Sequence, residues 1–180
     1  MMSLPLGHCL AGVCVYAAMA PRLKPLGPKW AWGLTLVLPQ APDFDFFAVW
    51  VLGQPSSVWH RTWSHSITFA VLCGVLGAWL ARRRGVTPLA MGLFIGALLM
   101  SHTLVDMFGH GSGGVPGRGV ALWWPWTMTA SAAPFEWQVL PPGEWGGGHG
   151  AVRAIVAELT WLGPPAAIAS WLRWGRAVRR

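Results

Sequence analysis

Gly92-Leu93-Phe94-Ile95-Gly96-Ala97-Leu98-Leu99-Met100-Ser101-His102-Thr103-Leu104-Val105-Asp106-Met107-Phe108 is an apolar run that carries a histidine and an aspartate four positions apart near its end. Extended back to Pro88, it has the ~20 residues that an α-helix needs to cross ~30 Å of hydrocarbon. An ionised side chain in such a helix costs about 2.5–3.5 kcal/mol by insertion scales, so it persists only where something compensates it. One helical turn puts His102 and Asp106 on the same face, where they either ligate a common metal or hydrogen-bond each other. The pair alone leaves both readings open.

The whole chain fits this reading. Of its 180 residues, 54% are hydrophobic and only 11% charged, too apolar for an ordinary soluble domain of this size. Fourteen tryptophans suit a protein with many positions at the membrane interface, although a compositional bias would give the same count. The net charge of +7 comes from short basic clusters beside apolar segments, so lipid headgroups rather than nucleic acid are the expected counter-charge. Cys9, Cys14 and Cys73 sit in apolar runs without C-x-x-C spacing and read as small hydrophobes. The first twenty residues end Ala18-Met19-Ala20 but have no basic start and are followed by Pro21, so they read as a retained helix, not a cleaved leader.

About five apolar segments emerge: Leu4 to Ala20, Trp30 to Leu52, Ser64 to Ala81, Pro88 to Phe108 and Val152 to Trp174. The second is broken at Pro39-Gln40-Ala41-Pro42, and irregular backbone at membrane depth is tolerated only where it lines a cavity or is buried in protein. The expected fold is an all-α membrane helical bundle of one domain, residues 1–180, with a long Gly-, Pro- and Trp-rich outer loop over 109–150. With five crossings, Arg22, Lys24, Lys29, Arg82, Arg83, Arg84, Arg173, Arg176, Arg179 and Arg180 fall on one side and only Arg61, Arg118 and Arg153 on the other. The positive-inside rule then puts the amino terminus outside and the carboxyl terminus in the cytoplasm. His8, Asp43, Asp45, His60, His65, His102 and Asp106 all converge on the outer side.

Each of these residues also has an ordinary explanation. Pro42-Asp43-Phe44-Asp45 opens a half-helix, where either acid can serve as a cap, but paired carboxylates are also what divalent ions recruit. Asp43 is the preferred direct ligand, with Asp45 either ligating or supporting. In Trp59-His60-Arg61-Thr62-Trp63-Ser64-His65-Ser66, the histidines would point about 140° apart on one helix, so His60 must lie on the preceding loop if both serve one site. Arg61 suits an anionic substrate group, or else meets lipid headgroups while Ser64 caps the helix. His8 alone reads as interfacial.

Taken in order, His8 in Leu6-Gly7-His8-Cys9-Leu10, Pro42-Asp43-Phe44-Asp45, His60-Arg61-Thr62-Trp63-Ser64-His65-Ser66, Ser101-His102 with Asp106, and Gly114-Val115-Pro116 followed by Trp124-Pro125 resemble the bacterial membrane-bound proteins of the YdjM type, to which metal-dependent hydrolysis is attributed. The resemblance covers residues 6 to about 126. It departs at Phe46, where the family commonly has histidine, and at Ser64, where it has threonine. A looser likeness is to zinc-dependent phospholipase C, an all-helical enzyme. In that analogy His8, Asp43 or Asp45, His65, His102 and Asp106 hold the metals, and His110, Glu144 and His149 are the candidates for its later ligands.

The resemblance implies a hydrolase in the bacterial inner membrane with one or two divalent ions, zinc first among them. It would act on a lipid or lipid-linked ester or phosphoester. The metal ligands are expected among His8, Asp43, Asp45, His60, His65, His102 and Asp106, with Asp43 or Asp45 orienting the water and Arg61 binding the anionic group. Trp123-Trp124-Pro125-Trp126 would lie at the headgroups as part of a lid. Two further classes stay open: an ion or proton transporter, which would spread polar residues through the whole membrane depth, and a scaffold in which the metal only staples helices.

Overall fold

The computed structural model describes residues 4–53, 59–82, 85–108, 119–134 and 148–175. Helix α1 (Pro5–Met19) and α2 (Pro28–Val37) both begin with proline, which lacks the N–H that a helix start leaves unused. A 3-10 segment, Ala20–Leu26, joins them and closes at Gly27, whose φ of 79° favours glycine. The second apolar segment is broken where the prolines stand. After α2 the chain tightens into a 3-10 turn, Leu38–Phe44, and restarts as α3 (Asp45–Val51). Helix α4 (Ile67–Ala81) is capped by Ser66, whose hydroxyl accepts from Phe69 N at 3.1 Å. Helix α5 (Pro88–Met107) and α6 (Gly148–Ser170) complete the fold, the latter containing Pro164 and Pro165.

The architecture is all-helical. Among the described residues, only an isolated bridge, Val120 to Ser131, pairs extended backbone. Among the described residues, two helical stretches are long and apolar enough to cross a membrane on their own, Pro5–Leu26 with 22 residues and Pro88–Met107 with 20, rather than the five expected. Helix α4 is apolar but shorter, because its chain opens with a 3-10 turn, Trp63–His65, instead of with helix.

Helices α4 and α5 cross through glycines. A Cβ on Gly74 would lie 2.8 Å from the carbonyl oxygen of Gly92, so backbones touch directly there. Phe94, Leu98, Leu23 and Ala31 fill the apolar core between α1, α2 and α5. The outside of the bundle is as apolar as its inside: on α4, Val71, Leu72, Val75, Leu76, Trp79 and Leu80 are all more than half exposed. The polar groups go inward instead. His8, His65, His102, Asp106 and Glu158 are completely buried, and Arg61, Ser64 and Asp45 nearly so. This inverted distribution is that of a protein whose solvent is lipid.

Candidate metal centre

Four side chains from three parts of the chain converge on one point. Asp43 comes from the 3-10 turn that the prolines impose, His65 from the turn before α4, and His102 and Asp106 from successive turns of α5. His65 Nε2 and His102 Nε2 lie 3.0 Å apart. Asp43 Oδ1 is 3.6 Å from the first and 3.5 Å from the second. Asp106 Oδ2 is 3.4 Å from His65 Nε2 and 3.6 Å from His102 Nε2. His65, His102 and Asp106 are sealed from solvent, while the Asp43 side chain is 22% exposed and marks the side from which the point is reached.

The hydrogen bonds behind these residues decide what they present. His102 Nδ1 lies 2.6 Å from the carbonyl oxygen of Pro39, which only accepts, so Nδ1 carries the proton and Nε2 a lone pair. Ser64 donates its single proton to Asp45 Oδ2 at 2.7 Å, so the 2.9 Å contact between its oxygen and His65 Nδ1 is a bond that the ring donates. In the neutral ring His65 Nε2 then presents a lone pair as well. Two lone pairs 3.0 Å apart then face two carboxylate oxygens, Asp43 Oδ1 and Asp106 Oδ2, that have no hydrogen-bond partner, and the neighbouring cation is Arg61, with Nε 3.4 Å from Asp106 Oδ2. A proton between the rings would satisfy one pair; a cation satisfies all four atoms at once.

The set also has the right size. Tetrahedral ligands at 2.0–2.1 Å from an ion stand about 3.3 Å from one another, and the five separations that involve a histidine run from 3.0 to 3.6 Å. The four donor atoms lie within 4.8 Å of each other. Outward donation from both Nδ1 atoms, to a carbonyl and to a serine–carboxylate relay, is how metal-binding imidazoles are oriented.

This chain matches the YdjM inner membrane protein family over residues 1–173. It belongs to that family. No curated protein and no solved structure matches the chain.

Around the YdjM centre, the other expected site residues take distinct places. Asp45 accepts from His60 Nδ1 at 2.9 Å and from Ser64 at 2.7 Å, so it stands behind His65 and braces it. His60 lies on the preceding loop, as its spacing requires, stacked on Phe46 with ring centroids 4.1 Å apart. Phe46 thus forms the wall behind His60. Arg61 is 1% exposed, with Nε 3.4 Å from Asp106 Oδ2, which overturns the alternative that it meets lipid headgroups. It sits at φ 64°, a strained value for a side chain with a Cβ, held by Ala121 N donating to its carbonyl at 2.9 Å. Nor does Ser64 cap α4; Ser66 does, which leaves Ser64 for the relay. His8, from α1, stacks on His102 at 3.8 Å and 18°, with Nε2 3.7 Å from Asp106 Oδ1.

Sequence reading missed Glu158. It lies in an apolar helix, and its carboxylate accepts from Leu4 N and, at 2.9 Å, from Gly7 N, supplying the N-terminal cap that α1 lacks. A Cβ on Gly7 would lie 2.8 Å from Glu158 Cδ, so the glycine beside His8 makes room for it. The described part of the loop between α5 and α6, 119–134, is pinned to the start of α4 and the end of α5. Ile67 N donates to Leu122 O at 3.0 Å, Thr68 to Trp124 O at 2.7 Å and Ala133 N to Met107 O at 2.8 Å. Trp123 and Trp126 stay more than half exposed on its outer surface. His110, Glu144 and Gly114-Val115-Pro116 lie outside the described residues, as does the side chain of His149.

Proposed function

We propose that this YdjM-family protein is a metal-dependent hydrolase of lipid or lipid-linked esters or phosphoesters, with zinc on Asp43, His65, His102 and Asp106 at the outer leaflet. The observation that carries the reading is the convergence of two imidazole nitrogens and two carboxylate oxygens within 4.8 Å of one another at a largely buried point. A divalent metal held there would supply Lewis-acid chemistry, polarising an ester or phosphoester and lowering the pKa of a water toward ~7. Asp43, at the accessible edge, orients that water, and Asp45 fixes His65 through Ser64. Arg61, beside Asp106, attracts the anionic part of the substrate. The exposed Trp123 and Trp126 seat the protein among headgroups above the centre.

The same reading takes the chain across the bilayer five times, with α2 and α3 as one broken crossing. The lipid-exposed face of α4 supports its membrane depth, and the basic loops put the carboxyl terminus in the cytoplasm. A second reading, a metal that only staples helices, draws on the four protein donors themselves, since structural zinc sites are saturated by protein while catalytic ones keep an open position. Turnover separates the two. Purified protein in phospholipid proteoliposomes is expected to release headgroup or lipid-phosphate products, to stop on chelation and to recover with added zinc. Turnover that survives His102→Ala or Asp106→Ala rules the hydrolase out; stoichiometric metal without turnover on any lipid ester favours the staple.

A further inference from the structure

His8 has no part in the four-donor set, yet it is the most unusual histidine in the chain. It is fully buried, and both its ring nitrogens lack a hydrogen-bond partner. Asp106 Oδ1, the oxygen that the first ion does not use, is equally buried and also lacks one. The two groups face each other, with Nε2 and Oδ1 3.7 Å apart. That is too long for a hydrogen bond, although a simple structural pair would have closed to one. A single ion with bonds of about 2.0–2.1 Å spans it at an angle of about 130°, wider than the tetrahedral one.

From these observations, and resting on the metal-centre reading above, we infer that a second divalent cation binds between His8 Nε2 and Asp106 Oδ1, so that Asp106 is shared by two ions. Symmetry within the site supports this. The rings of His8 and His102 are parallel, at 18° and 3.8 Å, and each presents Nε2 to a different oxygen of the same carboxylate, at 3.7 and 3.6 Å. Ions carried on two rings stacked in this way are spaced much as the rings are, and two-metal hydrolytic sites hold their ions about 3.5–4 Å apart. The donor count gives the second position its purpose. The first ion has four protein donors, whereas among the described residues two are placed for the second. The second is therefore the one that leaves room for a phosphoryl or carbonyl oxygen of the substrate.

The test is metal binding by the full-length protein in detergent, stripped with chelator and reloaded with Mn2+ alone. The wild type is expected to take up two ions per chain and to give the exchange-coupled electron paramagnetic resonance signal of a close Mn2+ pair. His8→Ala is expected to keep one ion with an isolated-Mn2+ signal, and Asp106→Ala to keep none. The coupled signal is read on the wild type, so the result does not depend on the folding of a variant. One ion in the wild type, unaltered by His8→Ala, overturns the second ion and leaves the first centre standing, with a bridging water as the occupant. Two ions retained by His8→Ala overturn the role of His8. No ion in the wild type overturns both readings.

Discussion

Ser64 and Ser66 are two residues apart and have unrelated tasks. Ser64 relays between His65 and Asp45, and Ser66 caps α4. Replacing Ser64 by alanine removes the acceptor that holds the His65 proton on Nδ1, and loss of such outer partners typically weakens metal binding 10–100-fold. Competition with a chelator is expected to show that loss for Ser64→Ala, and an unchanged affinity would contradict the relay. Ser66→Ala is expected to cost about 1 kcal/mol of stability and to leave metal affinity alone, which a melting curve and the same competition check together. At this scale the sequence was informative about which residues matter and less so about their tasks. The four-residue spacing of His102 and Asp106 was legible because helix geometry is periodic. Asp43 was already the preferred ligand, whereas whether Asp45 ligates or supports stayed open, because the two stand at the end of a proline-bent 3-10 turn whose side-chain directions obey no simple period. Which serine caps α4 depended on one turn of 3-10 backbone, Trp63–His65, at a boundary that sequence places poorly.

Helices meet here by backbone contact and by borrowed caps. At the crossing of α4 and α5, Gly74→Val would push a side chain into the Gly92 carbonyl at 2.8 Å. Such overpacking is expected to lower stability by about 1–3 kcal/mol, read as a lower melting temperature in detergent. An unchanged melting temperature would contradict the close crossing. Glu158→Ala leaves the N–H groups of Leu4 and Gly7 without their carboxylate and is expected to cost about 1–3 kcal/mol. The prolines at Pro39 and Pro42 announced the break in the second segment, since a ring without an N–H cannot continue a helix. Glu158 was invisible in sequence because a lone acid in an apolar helix carries no mark of the distant helix end it serves, more than 150 positions away.

Among the described residues the molecule turns apolar side chains outward and its histidines and aspartates inward. Composition alone pointed to lipid as the solvent, and the basic clusters pointed to an orientation. The number of crossings was less legible, because among the described residues only two helical stretches are both long and apolar enough, while α2 and α3 are broken, α4 is short and α6, with 23 residues, is less apolar. The orientation is tested in a cysteine-free variant with a membrane-impermeant thiol reagent. A cysteine introduced by Trp126→Cys is expected to label from the outside, and one introduced by Lys24→Cys only after the membrane is opened. The reverse pattern would contradict the outer site. The account rests most directly on the metal itself, so the decisive measurement is elemental analysis of the purified wild type beside His102→Ala and Asp106→Ala, matched for folding and monodispersity. A stoichiometric divalent metal, present in the wild type and lost in both variants, is the predicted result. A wild type that holds no metal even after reconstitution would contradict it and return these residues to proton relay or structural pairing.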